Sequence, residues 1–260
     1  MKIFFIGDIV GEAGRKAVSQ WLDKIIDRYN IDLVIANGEN AAGGFGLTSK
    51  IIEDLFSQGI HVITTGNHVW DKKELISCIA NEKRLLRPAN YPDGVPGNGS
   101  AVIETSLGEK AVIINLMGRV FMLPIDCPFR KAEEKITELK AITPVIIVDF
   151  HAEATSEKVA MGWHLDGKVS AVIGTHTHIQ TADEKILPRG TAYITDIGMT
   201  GPAYSVIGIK KDMIIDKFLT FMPKRFEMAK GPVQLEGVVF EVDSKTGKAL
   251  NLQRIQLKSE

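Results

Sequence analysis

In "GTHTHIQT", residues 174–181, two histidines stand one residue apart directly after the run Val169-Ser170-Ala171-Val172-Ile173. Alternate side chains of an extended chain point the same way, so His176 and His178 can share a partner. Four other apolar runs end in similar residues. Lys2–Ile6 leads into Gly7-Asp8, and Leu33–Ala36 leads into Asn37-Gly38-Glu39-Asn40. His61–Thr65 leads into Gly66-Asn67-His68, and the run 145–149 ends in Asp149-Phe150-His151. Asp8, Glu39, Asn40, Asn67, His151, His176 and His178 together offer seven nitrogen or oxygen donors. That is more than one octahedral ion accepts, whereas two ions about 3.5–4 Å apart that share a carboxylate can use them all. Glu39 suits the shared position, since a carboxylate brings two oxygens and a charge where Asn40 brings one carbonyl. His176 and His178 would then each hold a different ion.

Imidazole mixed with carboxylate and amide oxygens suits iron, manganese or zinc better than calcium. Two carboxylates against two divalent ions leave an excess of positive charge, which favours an anionic substrate such as a phosphate ester. A metal pair of this kind activates water and stabilises the oxygens of an in-line displacement. The chemistry indicated is hydrolysis at phosphorus.

The elements that must position these residues alternate along the first half. Strands are expected at Lys2–Ile6, Leu33–Ala36 and His61–Thr65. Helices are expected from about Gly14 to Tyr29, over Thr48–Ser57 with Thr48 as cap, and over Asp71–Ala80. Fully apolar strands alternating with helices indicate parallel βαβ units. In such sheets ligands gather beyond the carboxyl ends of the strands, where the polar residues above all lie. "RPANYPDGVPGNGS", 87–100, reads as a long loop. Val102–Ile103 and Ala111–Leu116 pair around Gly108-Glu109, a helix spans Ala132–Lys140, and strands follow at Val145–Asp149 and Ala192–Thr195. The tail from about Phe226 alternates as an antiparallel hairpin with its turn at Ser244–Lys248. No repeat or linker interrupts the chain, so residues 1–260 read as a single α/β domain of mixed sheets with helices outside.

The bulk properties agree with an ordinary globular protein: 260 residues, 45% hydrophobic, 24% charged, net charge -1. That balance excludes a broad electrostatic grip on nucleic acid or membrane. No apolar stretch is long enough for a signal peptide core or a membrane span. Cys78 and Cys127 lack metal-type spacing and read as reduced, buried side chains of a cytoplasmic protein.

Each site residue has a plainer alternative. Asp8 could cap a helix, Asn67 could serve a turn beside Gly66, and His151 could be a core histidine. His61 and His164 stay in that category. Five separate strand ends converging on ligand-type residues argue against coincidence for the set. "GDIVGEAG" departs from the dinucleotide pattern GxGxxG, and no GxSxG elbow occurs. "GGFGLT", 43–48, is either a flexible connector or a substrate contact.

The stretches "FIGDIVGEAGR", "NGENAAGGFGLT", "TTGNHVWDKKE", "RPANYPDGVPG", "DFHAEATSEK", "VIGTHTHIQTAD" and "GTAYITDIGMTGP" resemble the calcineurin-like metallophosphoesterase superfamily, and within it the bacterial YmdB-like phosphodiesterases. Val10 stands where the superfamily's GDxH has histidine, and Glu39 where it has a bridging aspartate; the narrower family accounts for both. The resemblance implies a four-layer αββα sandwich, iron or manganese as the metal pair, and 2′,3′-cyclic nucleotides as substrate, opened to 3′-nucleotides by metal-hydroxide attack on phosphorus. It places Asp8, Glu39, Asn40 and His178 on one ion, and Glu39, Asn67, His151 and His176 on the other. His68 becomes the proton donor to the leaving oxygen, and Asn67 helps orient the phosphate. Two other functions use the same residues: a phosphomonoesterase, and a regulatory sensor of nucleotides or RNA ends. The C-terminal hairpin offers an edge for a homo-oligomer.

Overall fold

The computed structural model describes all 260 residues. In chain order the elements are β1 (Lys2–Ile6), β2 (Asp8–Ile9), α1 (Gly11–Tyr29), β3 (Leu33–Asn37), α2 (Ser49–Ser57), β4 (Val62–Thr64), α3 (Leu75–Ile79) and β5 (Leu85–Leu86). There follow β6 (Ser100–Glu104), β7 (Lys110–Met117), α4 (Pro128–Leu139), β8 (Ile146–His151), α5 (Thr155–Leu165), β9 (Ala171–Thr175) and β10 (Lys185–Ile186). The chain closes with β11 (Ala192–Ile194), β12 (Met199–Pro202), α6 (Lys211–Thr220), β13 (Val233–Val242) and β14 (Ala249–Lys258).

These strands form two mixed sheets. One runs β2-β12-β13-β1-β3-β4-β5 with β14 beside β13, and the other runs β10-β11-β9-β8-β7-β6. Side chains alternate across each strand, so every central strand feeds two cores. Phe4 and Ile6 of β1 face α1, α2 and α3, meeting Val18, Leu22, Ile52 and Leu55. Ile3 and Phe5 face the second sheet and meet Ile113, Ile147, Ile173 and Ile194. On its far side the second sheet packs Ile114, Val148 and Val172 against Ala132 and Ile136 of α4 and Met161 of α5. The result is the αββα sandwich that the resemblance implied, with three apolar layers between four structural ones.

Several boundaries differ from expectation, each for a local reason. Helix α1 begins at Gly11, whose amide donates to the Asn40 carbonyl, so the turn after β2 is already helical. The helix expected over Asp71–Ala80 shrinks to Leu75–Ile79, because the Asp71 side chain is engaged by His68 and Glu74 accepts from the Ser49 amide. Helix α4 starts at Pro128, a residue suited to a first helical turn because its missing N–H costs no bond there. Thr48 does cap α2, accepting from the Ile51 amide at 3.4 Å. Helix α6 was not expected; it lies outside the four layers and buries Ile214 alone. Cys78 and Cys127 are free and half-buried, not fully buried. No helix is long and apolar enough to cross a membrane.

Candidate metal centre

Strands β1, β3 and β4 are mutually parallel, as are β7, β8, β9 and β11, so their carboxyl ends gather at one edge of the sandwich. There the two sheets are bridged by buried polar contacts. The Asn37 amide donates to Asp149 at 3.4 Å, and the Thr65 N–H donates to Asn115 at 3.2 Å. The expected site residues collect in the cleft above these bridges. Asp8 lies not at the end of β1 but in β2, a two-residue strand held parallel to β12.

The three histidines are presented in a common manner. The Thr175 hydroxyl donates to Asp149 at 2.8 Å, so it is left to accept from His151 Nδ1, 2.9 Å away. His178 Nδ1 lies 3.0 Å from the Ile207 carbonyl, and His176 Nε2 lies 3.0 Å from the Glu153 carboxylate. In each ring one nitrogen carries its proton to an oxygen, which fixes the tautomer and turns the other nitrogen into the cleft. Metal-bound histidines are oriented in this way. Thr175 and Glu153 thus touch a histidine directly, Asp149 acts one bond further away, and Asp196 has a different role.

The inward atoms form two groups. His151 Nε2 has Glu39 Oε1 at 2.9 Å, His176 Nδ1 at 3.0 Å and Asn67 Oδ1 at 3.1 Å. One ring nitrogen carries at most one proton and cannot satisfy three neighbours. Spacings near 3 Å are, however, what adjacent ligands on an octahedral ion with bonds of about 2.1 Å require. In the second group, His178 Nε2 lies 3.0 Å from Asn40 Nδ2 and 3.8 Å from Asp8 Oδ1. Asp8 Oδ1, Glu39 Oε1 and Asn40 Oδ1 are buried without a hydrogen-bond partner, although Glu39 Oε1 is close enough to His151 for an ion pair. Orphaned buried oxygens cost about 1–3 kcal/mol each, so three in one cleft call for a cation. The residues present therefore fit divalent metal. Glu39 sits with the His151 group; its other oxygen accepts from the His68 amide at 3.0 Å.

The electrostatics point the same way. Burial alone would raise the Glu39 carboxyl, but the His151 and His68 charges outweigh it and hold the pKa at about 2. Burial disfavours a charged His151, yet Glu39, Asp8 and Asp149 around it keep its pKa at about 9. Burial and then the neighbouring His151 push His176 down to about 3. Burial pushes Asp8 upward and Asp149 up to about 7. The carboxylates around His151 thus favour positive charge in the cleft, while His176 beside it stays neutral.

His68 lines the same cleft. Its Nδ1 pairs with Asp71 Oδ2 at 2.9 Å, leaving Nε2 as the free nitrogen, and its ring packs edge-on against Phe45. The pairing with Asp71 was not foreseen, because that aspartate reads as the start of a helix.

The supports of the histidine turn escaped the sequence reading. His176 and His178 have φ of 106° and 63°, left-handed backbone that costs a non-glycine residue about 1–3 kcal/mol. Lys158, only 1% exposed, stabilises this turn. Its ammonium donates to the Thr175 carbonyl at 2.6 Å and pairs with Asp196, which accepts from the Thr177 amide at 3.0 Å. Asn37 completes the support by accepting from the Glu39 amide at 3.1 Å. Gly66 is required for space, since a Cβ there would stand 2.1 Å from the His151 ring. Lys158→Met should leave the Asp196 carboxylate buried without its cation, costing about 3–5 kcal/mol in urea unfolding. Adding Asp196→Asn should recover part of that loss. A Lys158→Met protein of unchanged stability would show that the pair does not hold the turn.

Comparison with known proteins gives a consistent picture. The sequence model described as "YmdB-like protein" matches residues 4–255. Over 260 residues the chain is 50% identical to the 2′,3′-cyclic-nucleotide 2′-phosphodiesterase of Bacillus subtilis, covering 100% of this chain and 98% of that one. A crystal structure of a hypothetical protein from Thermus thermophilus superposes with a TM-score of 0.94 at 41% identity, covering 100% of both chains. A novel phosphatase of Mycoplasma pneumoniae superposes with a TM-score of 0.93 at 41% identity, over 99% of this chain and 93% of that one.

Proposed function

This chain belongs to the YmdB-like family, and on that footing we propose that it is a metal-dependent phosphodiesterase that opens 2′,3′-cyclic nucleotides to 3′-nucleotides. The observation that carries the reading is the common presentation of His151, His176 and His178. Each has one nitrogen tied to an oxygen and the other turned toward orphaned Asp8, Glu39 and Asn40 oxygens.

Asp8, Asn40 and His178 would hold one divalent ion and Asn67, His151 and His176 a second, with the Glu39 carboxylate available to both. Imidazole with carboxylate and amide donors suits iron, manganese or zinc, and the family resemblance favours the first two. When bound, the pair supplies Lewis acidity toward the phosphoryl oxygens and an activated water. The remaining work falls to the chain. Asn67, on the turn after β4, orients the phosphate. His68 carries its transferable proton on Nε2, because Nδ1–H is directed to Asp71. As water adds to phosphorus, a new P–O bond forms and the P–O2′ bond breaks. The electron pair leaves with O2′, which takes the His68 Nε2 proton; the proton lost by water is released to solvent, from which His68 is reprotonated.

Product analysis tests this directly. Protein loaded with manganese or iron and given 2′,3′-cyclic AMP should yield 3′-AMP, and should release little inorganic phosphate from 3′-AMP. Rapid phosphate release with the cyclic ester untouched would make the protein a phosphomonoesterase instead.

A further inference from the structure

The cleft, a cavity of about 280 Å³, has polar walls made largely of the residues already described. The apolar wall is less explained. Val10, Phe45, Ile207, Ile209 and Met228 also line it, and Phe45 is 38% exposed. An exposed aromatic ring is not required to build the fold. The backbone holds it out deliberately: Gly43, Gly44 and Gly46 have φ of 70°, 98° and 77°. A Cβ on Gly44 would stand 2.5 Å from the Met228 sulfur, so the loop is seated against the cleft wall and not free in solvent. The Phe45 ring centroid lies 5.0 Å from that of His68, with the planes at 64°.

The substrate's own geometry gives this ring a role. In a 2′,3′-cyclic nucleotide both ribose oxygens are bonded to the same phosphorus in a nearly symmetric ring. They differ in what flanks them: C2′ adjoins the carbon bearing the base, whereas C3′ adjoins the carbon bearing the 5′ group. An enzyme that always releases O2′ must therefore sense which side the base is on. If His68 protonates O2′, the base emerges beside His68, where Phe45 stands. A neighbouring cavity of about 320 Å³ shares Val10 and Met228 but is not lined by His68, so it lies away from the leaving oxygen.

We propose that Phe45 is the platform on which the nucleobase stacks, and that by holding the base it sets O2′, not O3′, toward His68. This inference rests on the functional reading above and adds a specificity-determining residue to it. Stacking reads the face of the base, a contact that all four bases can make.

The test uses the metal-loaded full chain, wild type and two variants, Phe45→Ala and Phe45→Trp. Each is assayed with 2′,3′-cyclic AMP and with ethylene phosphate, a five-membered cyclic diester without a base. For Phe45→Ala, KM for cyclic AMP should rise about tenfold, the scale of one lost base–aromatic stack. 2′-AMP should appear beside 3′-AMP, and the loss on ethylene phosphate should be much the smaller. Phe45→Trp should restore both KM and the 3′-AMP product. Proportional losses on both substrates would overturn the proposal, because Phe45 would then merely prop His68. So would an unchanged KM with 3′-AMP as sole product. A wild-type protein that leaves cyclic AMP intact while hydrolysing ethylene phosphate would overturn the functional reading, and this inference with it.

Discussion

Glu39→Gln is expected to strip the protein of bound metal and lower turnover by about a thousandfold or more, the rate value of several kcal/mol of lost charge stabilisation. The substitution keeps the volume and the carbonyl that accepts the His68 amide at 3.0 Å, so the fold should survive. What it removes is the charge beside His151, at 2.9 Å, and the second oxygen that could join two ions. The buried His151 would lose the first of the carboxylates that hold its pKa at about 9. Elemental analysis of the purified variant, beside circular dichroism to verify folding, separates these effects. A variant with full metal content and wild-type turnover would show that Glu39 is not a ligand.

His68→Ala is expected to behave in the opposite way, keeping its metal while losing about 10²–10⁴ in kcat, the usual worth of a positioned general acid. The backbone N–H that donates to Glu39 remains after truncation, so the ligand is not disturbed. The loss should depend on the leaving group. A ribose oxygen leaves poorly and needs the proton, whereas a nitrophenolate leaves readily and does not. Comparing cyclic AMP with a nitrophenyl phosphodiester therefore isolates the proton transfer. Equal losses on the two substrates would assign His68 to substrate positioning. No loss would remove it from the mechanism.

The ends of the apolar runs were legible because each carries a polar residue that a buried strand would otherwise avoid, beside a glycine at every end but that of His151. Parallel βαβ order then brings those ends to one edge, so the order of the runs alone groups Asp8, Glu39, Asn40, Asn67, His151, His176 and His178. The C-terminal hairpin was equally clear: its alternating pattern marks β13 and β14, and Asp243 and Lys248 close the turn by a backbone bond of 2.9 Å.

What lay hidden depends on tertiary contact. Lys158 looks like any surface lysine of an amphipathic helix, and only the fold shows its ammonium turned inward to Asp196. The left-handed backbone of His176 and His178 leaves no trace in residue type, because glycine, the usual sign of positive φ, is absent at both positions. Asp71 was assigned to a helix start from spacing, yet its carboxylate serves His68. Helix α6 carries exposed Phe218 and Leu219, so its apolar pattern does not mark a face turned to the core.

Strand ends distant along the chain are proposed to grasp a pair of cations. Diffraction from crystals grown with manganese, recorded at its absorption edge, tests this most directly. Two anomalous peaks are expected in the cleft, each about 2.0–2.3 Å from its donors. One should lie among Asp8, Asn40 and His178, the other among Asn67, His151 and His176, with Glu39 reaching both. A cleft without any peak, its ligand side chains splayed apart, would contradict the claim.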